Sequence, residues 1–162
     1  MGRLLSHLST VFLGLLSGAM LLIAVSFVPF WRSIAPAEFR HWFSANSFSI
    51  GALMFSLGTG SAVASVGAWI FAQGEAMRRW FLLSMLGALA VVLVTLVINE
   101  PANRLFIEPG ALNDVDTSEL LVTWTAWHWI RLLFGMGAFY AAVNAIAEPR
   151  AVVPTRAPSP KI

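Results

Sequence analysis

Two short segments of the sequence hold most of the side chains that are able to do chemistry. The first, residues 99–103, contains Glu100, and the second, residues 124–131, contains His128 and Arg131. A carboxylate or an imidazole can act as a general base. A guanidinium and carboxamides can stabilise a developing oxyanion. The two segments therefore combine groups that could remove a proton with groups that could hold the negative charge left behind.

The second segment forms an aromatic and basic stripe if it is helical. Residues three and four positions apart share one face of a helix, so Trp124, His128 and Arg131 lie in line and Trp127 lies beside Arg131. His128, Glu100 and Arg131 are the candidate catalytic residues. The tryptophans are suited to stacking on a planar ligand, and the amides of the first segment to hydrogen bonding. The candidate substrate-binding residues are Asn99, Asn103, Trp124 and Trp127.

Arg131 is the charged residue that most needs a partner. If its helix begins near residue 121, Arg131 lies about 15 Å along it at 1.5 Å per residue, which is well inside a bilayer. A charge at that depth usually faces the bundle interior and is paired. Glu100 is the expected partner, with Glu119 and the amide of Asn99 as alternatives. The arginine then either takes part in a function, clamps two helices together, or snorkels outward.

His128 also has more than one interpretation. It is either the proton acceptor of a site or an interfacial histidine held by hydrogen bonds. A metal or haem site is a further alternative, with His41, His128 and Glu100 meeting at one end of the protein. No HxxxH or HExxH spacing supports that alternative. The sequence therefore predicts no metal site.

The elements that must position these residues are membrane helices. Of 162 residues, 58% are hydrophobic and only 11% are charged, against about 25% charged in a soluble domain. A membrane helix needs about 20 mostly apolar residues, and the sequence contains four runs of this kind. We therefore predict an all-α integral membrane four-helix bundle, with spans at about 8–30, 47–72, 79–99 and 121–147.

The segments outside these spans differ in character. The first span is longer than the 7–15-residue apolar region of a signal peptide, so we interpret it as a retained anchor. The connection 31–46 is half-apolar, and 100–120 is long and acidic. Residues 148–162 are polar and rich in proline, which predicts a disordered tail. Small residues such as Gly14 and Gly60 favour close helix packing within the bundle, and dimerisation is the weaker alternative.

Composition excludes several classes of function. Without cysteine, the chain cannot form disulfides, thiolate metal sites or a cysteine nucleophile. No basic stripe is present that would hold a phosphate backbone, so we expect no nucleic-acid partner. The expected partners are the lipid bilayer, a hydrophobic aromatic small molecule, and a second copy or another subunit of a membrane complex. A transporter is disfavoured because four helices with few internal charges offer little pathway.

Two motifs indicate a family. Asn99-Glu100-Pro101-Ala102-Asn103 resembles the Asn-Val-Pro-x-Asn motif at the end of the third helix in anthrone oxygenase-like proteins. Residues 124–131 resemble the Trp-x-x-Trp-Asn-x-x-Arg motif on the fourth helix of the same family. The resemblance extends over about residues 8–147. The members of this family are small four-helix membrane proteins, many of them of unknown function. Two positions depart from the family pattern, because Glu100 replaces a small apolar residue and His128 replaces asparagine.

The resemblance implies a reaction as well as a fold. Characterised members oxidise an anthrone to an anthraquinone with dioxygen, without a metal or flavin, so no cofactor is expected here. In that interpretation His128 or Glu100 is the base, and Arg131 with the amides stabilises the oxyanion. The competing hypothesis is a non-catalytic accessory or scaffold subunit of a membrane complex. A cavity lined by polar groups between the third and fourth helices would distinguish the enzyme from the scaffold.

The distribution of basic residues predicts the orientation in the membrane. Six basic residues fall on the side that holds both termini, and three fall on the other side. Because basic residues accumulate in the cytoplasm, both termini should be cytoplasmic, in a multi-pass protein of a bacterial inner (plasma) membrane. The six are Arg3, Arg78, Arg79, Arg150, Arg156 and Lys161, and the three are Arg32, Arg40 and Arg104.

Reporter fusions test this orientation. A reporter that is active only in the cytoplasm should be active at Ile162 and inactive when inserted within residues 110–116. An exported reporter should show the opposite pattern. Activity of the exported reporter at Ile162 would contradict a four-span protein with both termini in the cytoplasm.

Overall fold

The structure, a computed structural model, describes residues 1–148 and is built from four long helices with no strand in that part of the chain. Each helix is long and apolar enough to cross a membrane. The chain is therefore an integral membrane protein, and the predicted all-α four-helix fold is confirmed. Most of the predicted disordered tail lies outside the described residues. The helices are α1 Gly2–Ser33, α2 Pro36–Ile70, α3 Glu75–Ile107 and α4 Asp114–Ala147.

The four helices pack in a ring in which each contacts its neighbour in sequence. The most extensive contacts are α3 with α4 and α1 with α2, followed by α2 with α3 and α1 with α4. Short connections make successive helices antiparallel, as in other up-and-down bundles. The residues of the two motifs are carried by α3 and α4. We call the end of the bundle that holds the α1–α2 and α3–α4 connections the distal end.

The helices extend further at the distal end than the predicted spans. Residues 31–46 form the last turn of α1 and the start of α2, separated only at Ile34 and Ala35. Ala35 is extended, which is the conformation favoured before proline. The 35 residues of α2 correspond to about 52 Å, well beyond a hydrocarbon core of about 30 Å. The charged residues at this end therefore lie largely on helical turns outside the apolar core.

Two prolines are accommodated within helices by π-helical turns. Residues Ile23–Phe27 of α1 and Thr95–Asn99 of α3 are π-helical, and each turn ends two residues before a proline, Pro29 or Pro101. A proline inside a helix removes one hydrogen bond, and its ring clashes with the carbonyl four residues earlier. A widened turn relieves that clash, so both helices continue instead of ending. π turns are often found at functional sites, and here one of them contains Asn99.

Small residues bring helices together within the bundle, as the sequence predicted. A methyl group added at Gly14 would lie 3.1 Å from the ring of Phe139 on α4, and one at Gly60 would lie 2.8 Å from Phe12 on α1. Gly18 has no such neighbour within 4 Å. The first glycine of the Gly14–Gly18 pair therefore packs inside the bundle, and the second does not.

A cluster of aromatic rings joins all four helices at the distal end. Trp31 of α1 lies 5.6 Å from Phe39 of α2 and 5.6 Å from Trp124 of α4, measured between ring centroids. Phe106 of α3 lies 5.0 Å from Phe39. All four rings are buried. This aromatic cluster fixes the distal turns of the bundle and holds Trp124 in place above His128.

Candidate functional site

Arg131 lies inside the bundle and is hydrogen-bonded to neutral groups. Its side chain is buried on α4, with the residue only 6% exposed. Nη1 donates to Oγ1 of Thr95 on α3 at 3.0 Å, and Nη2 donates to Nδ1 of His128 at 2.8 Å. The prediction that this arginine faces the bundle interior is confirmed, which excludes snorkelling to the membrane surface.

The hydrogen bonds of His128 define its tautomer. The ring is fully buried, and Nε2 lies 2.9 Å from the carbonyl oxygen of Met20 on α1. A carbonyl oxygen only accepts and a guanidinium only donates. Nε2 therefore carries the proton and donates to Met20, and Nδ1 accepts from Arg131. In this arrangement His128 is a neutral imidazole with both ring nitrogens engaged.

The two partners of Arg131 each pass the interaction on to a backbone carbonyl. Thr95 donates its hydroxyl to the carbonyl of Val91 at 2.7 Å, and His128 donates to the carbonyl of Met20. We call these two chains of hydrogen bonds relays, and in each of them the last acceptor is a backbone carbonyl oxygen. Oriented dipoles therefore stabilise the positive charge of Arg131. Arg131 thereby links α4 to α3 and to α1. The expectation that it clamps helices is supported, and it extends to a third helix.

The expected ion pair between Glu100 and Arg131 does not form. Within residues 1–148, no carboxylate lies within ion-pair distance of Arg131. Glu100 instead pairs with Arg104, one turn further along α3, at 3.4 Å, and its side chain is 42% exposed. A glutamate four residues before a basic residue on one helix is a favourable pair that orders little chain. The nearer arginine therefore takes this carboxylate, and Glu119 takes no part either.

The two motifs do meet at a point further toward the distal end. Nε1 of Trp124 donates to Oδ1 of Asn103 at 2.9 Å, and Nδ2 of Asn103 lies 3.4 Å from Oε2 of Glu100. The indole of Trp124 in turn stacks on the ring of His128, with centroids 4.9 Å apart and planes inclined by 8°. A continuous set of contacts therefore runs from Glu100, at the edge of the bundle, to Arg131 in its interior.

Two polar groups in this region have no hydrogen-bond partner among the described residues. Asn99 is fully buried, and neither its Nδ2 nor its Oδ1 forms a hydrogen bond. Nε of Arg131 is also buried without a partner. Asn99 lies four residues after Thr95 and four before Asn103, and both of these contact α4. Unpaired buried polar groups cost about 1–3 kcal/mol each, which sets Asn99 and Nε of Arg131 apart from the hydrogen-bonded groups around them.

The remaining candidates are placed less centrally. Trp127 is half-buried, beside this set of contacts rather than within it. His41 is exposed on α2, and no three metal-ligating side chains come together anywhere in residues 1–148. With both nitrogens of His128 occupied, the combination of His41, His128 and Glu100 does not form a metal site here. The metal and haem alternative therefore finds no support in the geometry.

Sequence reasoning missed three participants. Thr95 is a hydroxyl within the apolar run of α3, four residues before Asn99, and that spacing was a usable signal. Trp31 is one of several aromatic residues near the end of α1, and nothing in the pattern distinguishes it. The carbonyl of Met20 has no signature in sequence, because every residue offers one.

The fold and these contacts define a four-helix integral membrane protein with a buried arginine–histidine network next to unpaired carboxamide and guanidinium groups. The family described as Anthrone oxygenase matches residues 39–141. This match covers more than half of the chain, so the chain belongs to the anthrone oxygenase family, which confirms the resemblance seen in the two motifs. No curated protein and no solved structure is similar enough to count as a match.

The tautomer of His128 is directly measurable. The chain has three histidines, His7, His41 and His128, so ¹⁵N spectra of histidine-labelled protein are simple. The His128 ring should show a protonated Nε2 and an unprotonated Nδ1, and His128→Gln should remove these signals. A protonated Nδ1 at this residue would contradict the hydrogen bond from Arg131.

The stability of Arg131 variants tests the nature of its partners. Arg131→Met keeps much of the volume and leaves only neutral acceptors unpaired, so it should cost about 1–3 kcal/mol of unfolding free energy. An orphaned buried carboxylate would instead cost about 3–5 kcal/mol. Denaturant unfolding in detergent measures the difference, with Arg104→Met as an exposed control expected to change little. A loss near 5 kcal/mol would indicate an acidic partner.

Proposed function

We propose that this protein oxidises a planar, lipid-soluble aromatic compound with dioxygen, in a bacterial inner membrane, at the distal ends of α3 and α4. The observation that carries the proposal is the pair of unpartnered groups, the amide of Asn99 and Nε of Arg131, in a buried position. Membership of the anthrone oxygenase family supports the reaction class. The apolar surroundings suit a substrate that arrives from the bilayer.

The reaction has simple chemical requirements. In an anthrone-type substrate, a base removes a proton from the ring methylene, and the electron pair moves into the ring system to give a phenolate-like oxyanion. The electron-rich carbanion then reacts with dioxygen. One oxygen atom of dioxygen becomes the new carbonyl of the quinone, and the other leaves as water with the two methylene hydrogens. The protein must supply a base, a stabiliser for the oxyanion and a site that excludes bulk water.

Arg131 and Asn99 are the proposed oxyanion partners. The positive charge of the guanidinium is not compensated by a carboxylate, because its partners within residues 1–148 are neutral. A cation in a low-dielectric interior interacts far more strongly with a developing anion than it would in water. Nε–H of Arg131 and Nδ2–H of Asn99 have no acceptor among residues 1–148. The two groups are thus available for an oxygen that gains charge during the reaction.

Glu100 is the better candidate for the base, and His128 is better explained as a positioning residue. Both nitrogens of His128 are engaged, so it has no free lone pair. Glu100 is at the edge of the bundle, where its side chain is partly exposed and makes only long contacts of 3.4 Å. In an anthrone the methylene and the carbonyl lie on opposite sides of the central ring. A base at the edge and a cation in the interior fit that separation, with Asn103, Trp124 and Trp127 as flanking substrate contacts.

A non-catalytic accessory or scaffold subunit is the second candidate. The links from Arg131 to α1 and α3 favour it, because a helix clamp needs only those hydrogen bonds. Such a subunit would use its lipid-facing surface to contact a second copy or another membrane protein. The scaffold hypothesis does not account for the family match over residues 39–141, and this is why we favour the enzyme.

Oxygen uptake by purified protein tests the enzyme hypothesis. With anthrone-like or quinol-like substrates, Glu100→Gln should lower the rate by about 10²–10⁴-fold, the usual effect of removing a general base. Asn99→Leu should lower it by about 10²–10³-fold, as for the loss of one oxyanion donor. Glu108→Gln, an exposed acid near the same end, is the matched control and should retain activity.

Three outcomes of this experiment are informative. A greater loss in His128→Gln than in Glu100→Gln would reverse the roles of the two residues. Uptake that is lost with a chelator would restore the metal alternative. If folded protein consumes no oxygen with any such substrate, the accessory-subunit function is to be preferred.

A further inference from the structure

A groove of about 400 Å³ runs along the outer side of the bundle between α3 and α4. Its floor consists of small residues, and the two helices touch there, because a methyl group added at Gly87 would lie 2.9 Å from Cβ of Ala138. A methyl group added at Gly137 would meet no other part of the protein within 4 Å, so the floor is open to the outside. Ala90 and Ala141 complete the floor.

The banks of the groove are accessible apolar side chains. Leu83 on α3 and Leu133 and Tyr140 on α4 are each more than half exposed. Leu86 and Phe134 line the groove beside them. Both helices are long and apolar enough to cross a membrane, so a surface of this kind faces hydrocarbon chains. The groove is therefore suited to a flexible apolar chain that lies along the helices.

The length of the groove matches one leaflet of a bilayer. From Trp80 to Ala90, α3 rises about 15 Å at 1.5 Å per residue, which is half of a hydrocarbon core of about 30 Å. The rings of Trp80 and Tyr140, 6.2 Å apart, mark one end, and such residues are typical of the membrane–water interface. The other end lies at Leu133, two residues from the buried Arg131. The groove thus runs from headgroup level toward the middle of the membrane.

Charged side chains of both signs lie at the interfacial end of the groove. Residues four apart share a helix face, so Arg79 continues the α3 bank beyond Leu83. Arg79 also pairs with Glu75, one turn further out. On the α4 side, Oε1 of Glu148 accepts a hydrogen bond from Nε1 of Trp80 at 3.1 Å. Among the described residues, this end therefore offers two carboxylates and one guanidinium.

This combination of charges selects a headgroup. A headgroup with net negative charge would meet more carboxylates than guanidinium groups. The neighbouring cation, Arg78, does not change this balance, because it lies over the ring of Trp69 on α2, 5.3 Å from the ring centroid. A headgroup that carries both a phosphate and an ammonium group matches both signs, through charge-assisted hydrogen bonds.

We propose that the groove binds an ethanolamine phospholipid, with one acyl chain along the floor and the headgroup between Arg79 and Glu148. The phosphate pairs with the guanidinium of Arg79, and the primary ammonium donates to the carboxylate of Glu148. A choline headgroup has no N–H to donate, and a glycerol headgroup has no cation. Phosphatidylethanolamine is therefore bound in preference to phosphatidylcholine and phosphatidylglycerol.

This binding is independent of the proposed reaction. No residue that lines the groove bonds to Arg131 or His128. Lipid binding should therefore persist in Asn99→Leu even where oxygen uptake is lost. Because the lipid lies across the contact between α3 and α4, it should raise the melting temperature of the purified protein.

Native mass spectrometry of the full chain in detergent, with the three phospholipids supplied in equal amounts, measures the preference. The protein should retain one phosphatidylethanolamine. Gly137→Trp should fill the floor and abolish the retained lipid. Gly51→Trp is the matched control, because Gly51 is also an exposed helical glycine with no neighbour within 4 Å, and it should retain the lipid.

A second variant keeps the shape of the groove. Glu148→Gln preserves an acceptor for Trp80 but removes the charge, so it should weaken phosphatidylethanolamine binding by about fivefold, the upper effect of an exposed ion pair. Equal retention of the three lipids, or retention that persists in Gly137→Trp, would overturn the proposal. Preferred retention of phosphatidylglycerol would overturn it in favour of an anionic headgroup. A lipid-free dimer that dissociates in Gly137→Trp would show that a second copy occupies the groove instead.

Discussion

The burial of a permanent cation in a bundle surrounded by lipid is the constraint on which the rest of the structure depends. Arg131 is only 6% exposed, and a charge at that depth is tolerated only when its donors are satisfied by the protein. Two donors are satisfied through Thr95 and His128, whose own protons go to carbonyls of α3 and α1. A slip of one residue in any of these helices rotates its side chains by about 100° and breaks a relay. The network therefore fixes the register of three helices.

A neutral network has different consequences from an ion pair. A carboxylate beside Arg131 would cancel the charge and occupy the guanidinium. Hydroxyl and imidazole relays instead spread the charge over dipoles and leave the net charge in place. The cation can then attract a ligand that gains negative charge, and this attraction is strong where the dielectric constant is low. The same buried arginine thus serves as the helix clamp and as part of the candidate site. The clamp uses its paired donors, whereas the candidate site consists of the unpaired groups, Arg131 Nε and Asn99.

The sequence predicts the fold well because a membrane-spanning helix must be a long apolar run with little charge. It predicts the contacts less well because hydrogen-bond partners leave no such pattern in the sequence. Runs without charge predict all four helices, but the distal ends of the helices carry charge, so the same pattern predicts loops there. The depth of Arg131 in the bundle predicts a pair with Glu100, but Arg104, four residues further along the same helix, takes this carboxylate. That competition is visible in the sequence. The acceptor at Met20 is a backbone atom, which no pattern of side chains reveals.

The first helix contributes side chains to the distal end of the bundle but none to the hydrogen bonds of Arg131. The family match over residues 39–141 includes every side chain of the buried network and excludes all of α1. To that network α1 supplies only a carbonyl, which any residue at position 20 would provide. By contrast, α1 supplies the side chains of Trp31 and Arg32 to a cavity of about 170 Å³ between the α1–α2 connection and the first turns of α4. Side-chain changes at these two positions therefore alter that cavity without altering the cation, its hydrogen bonds or Asn99.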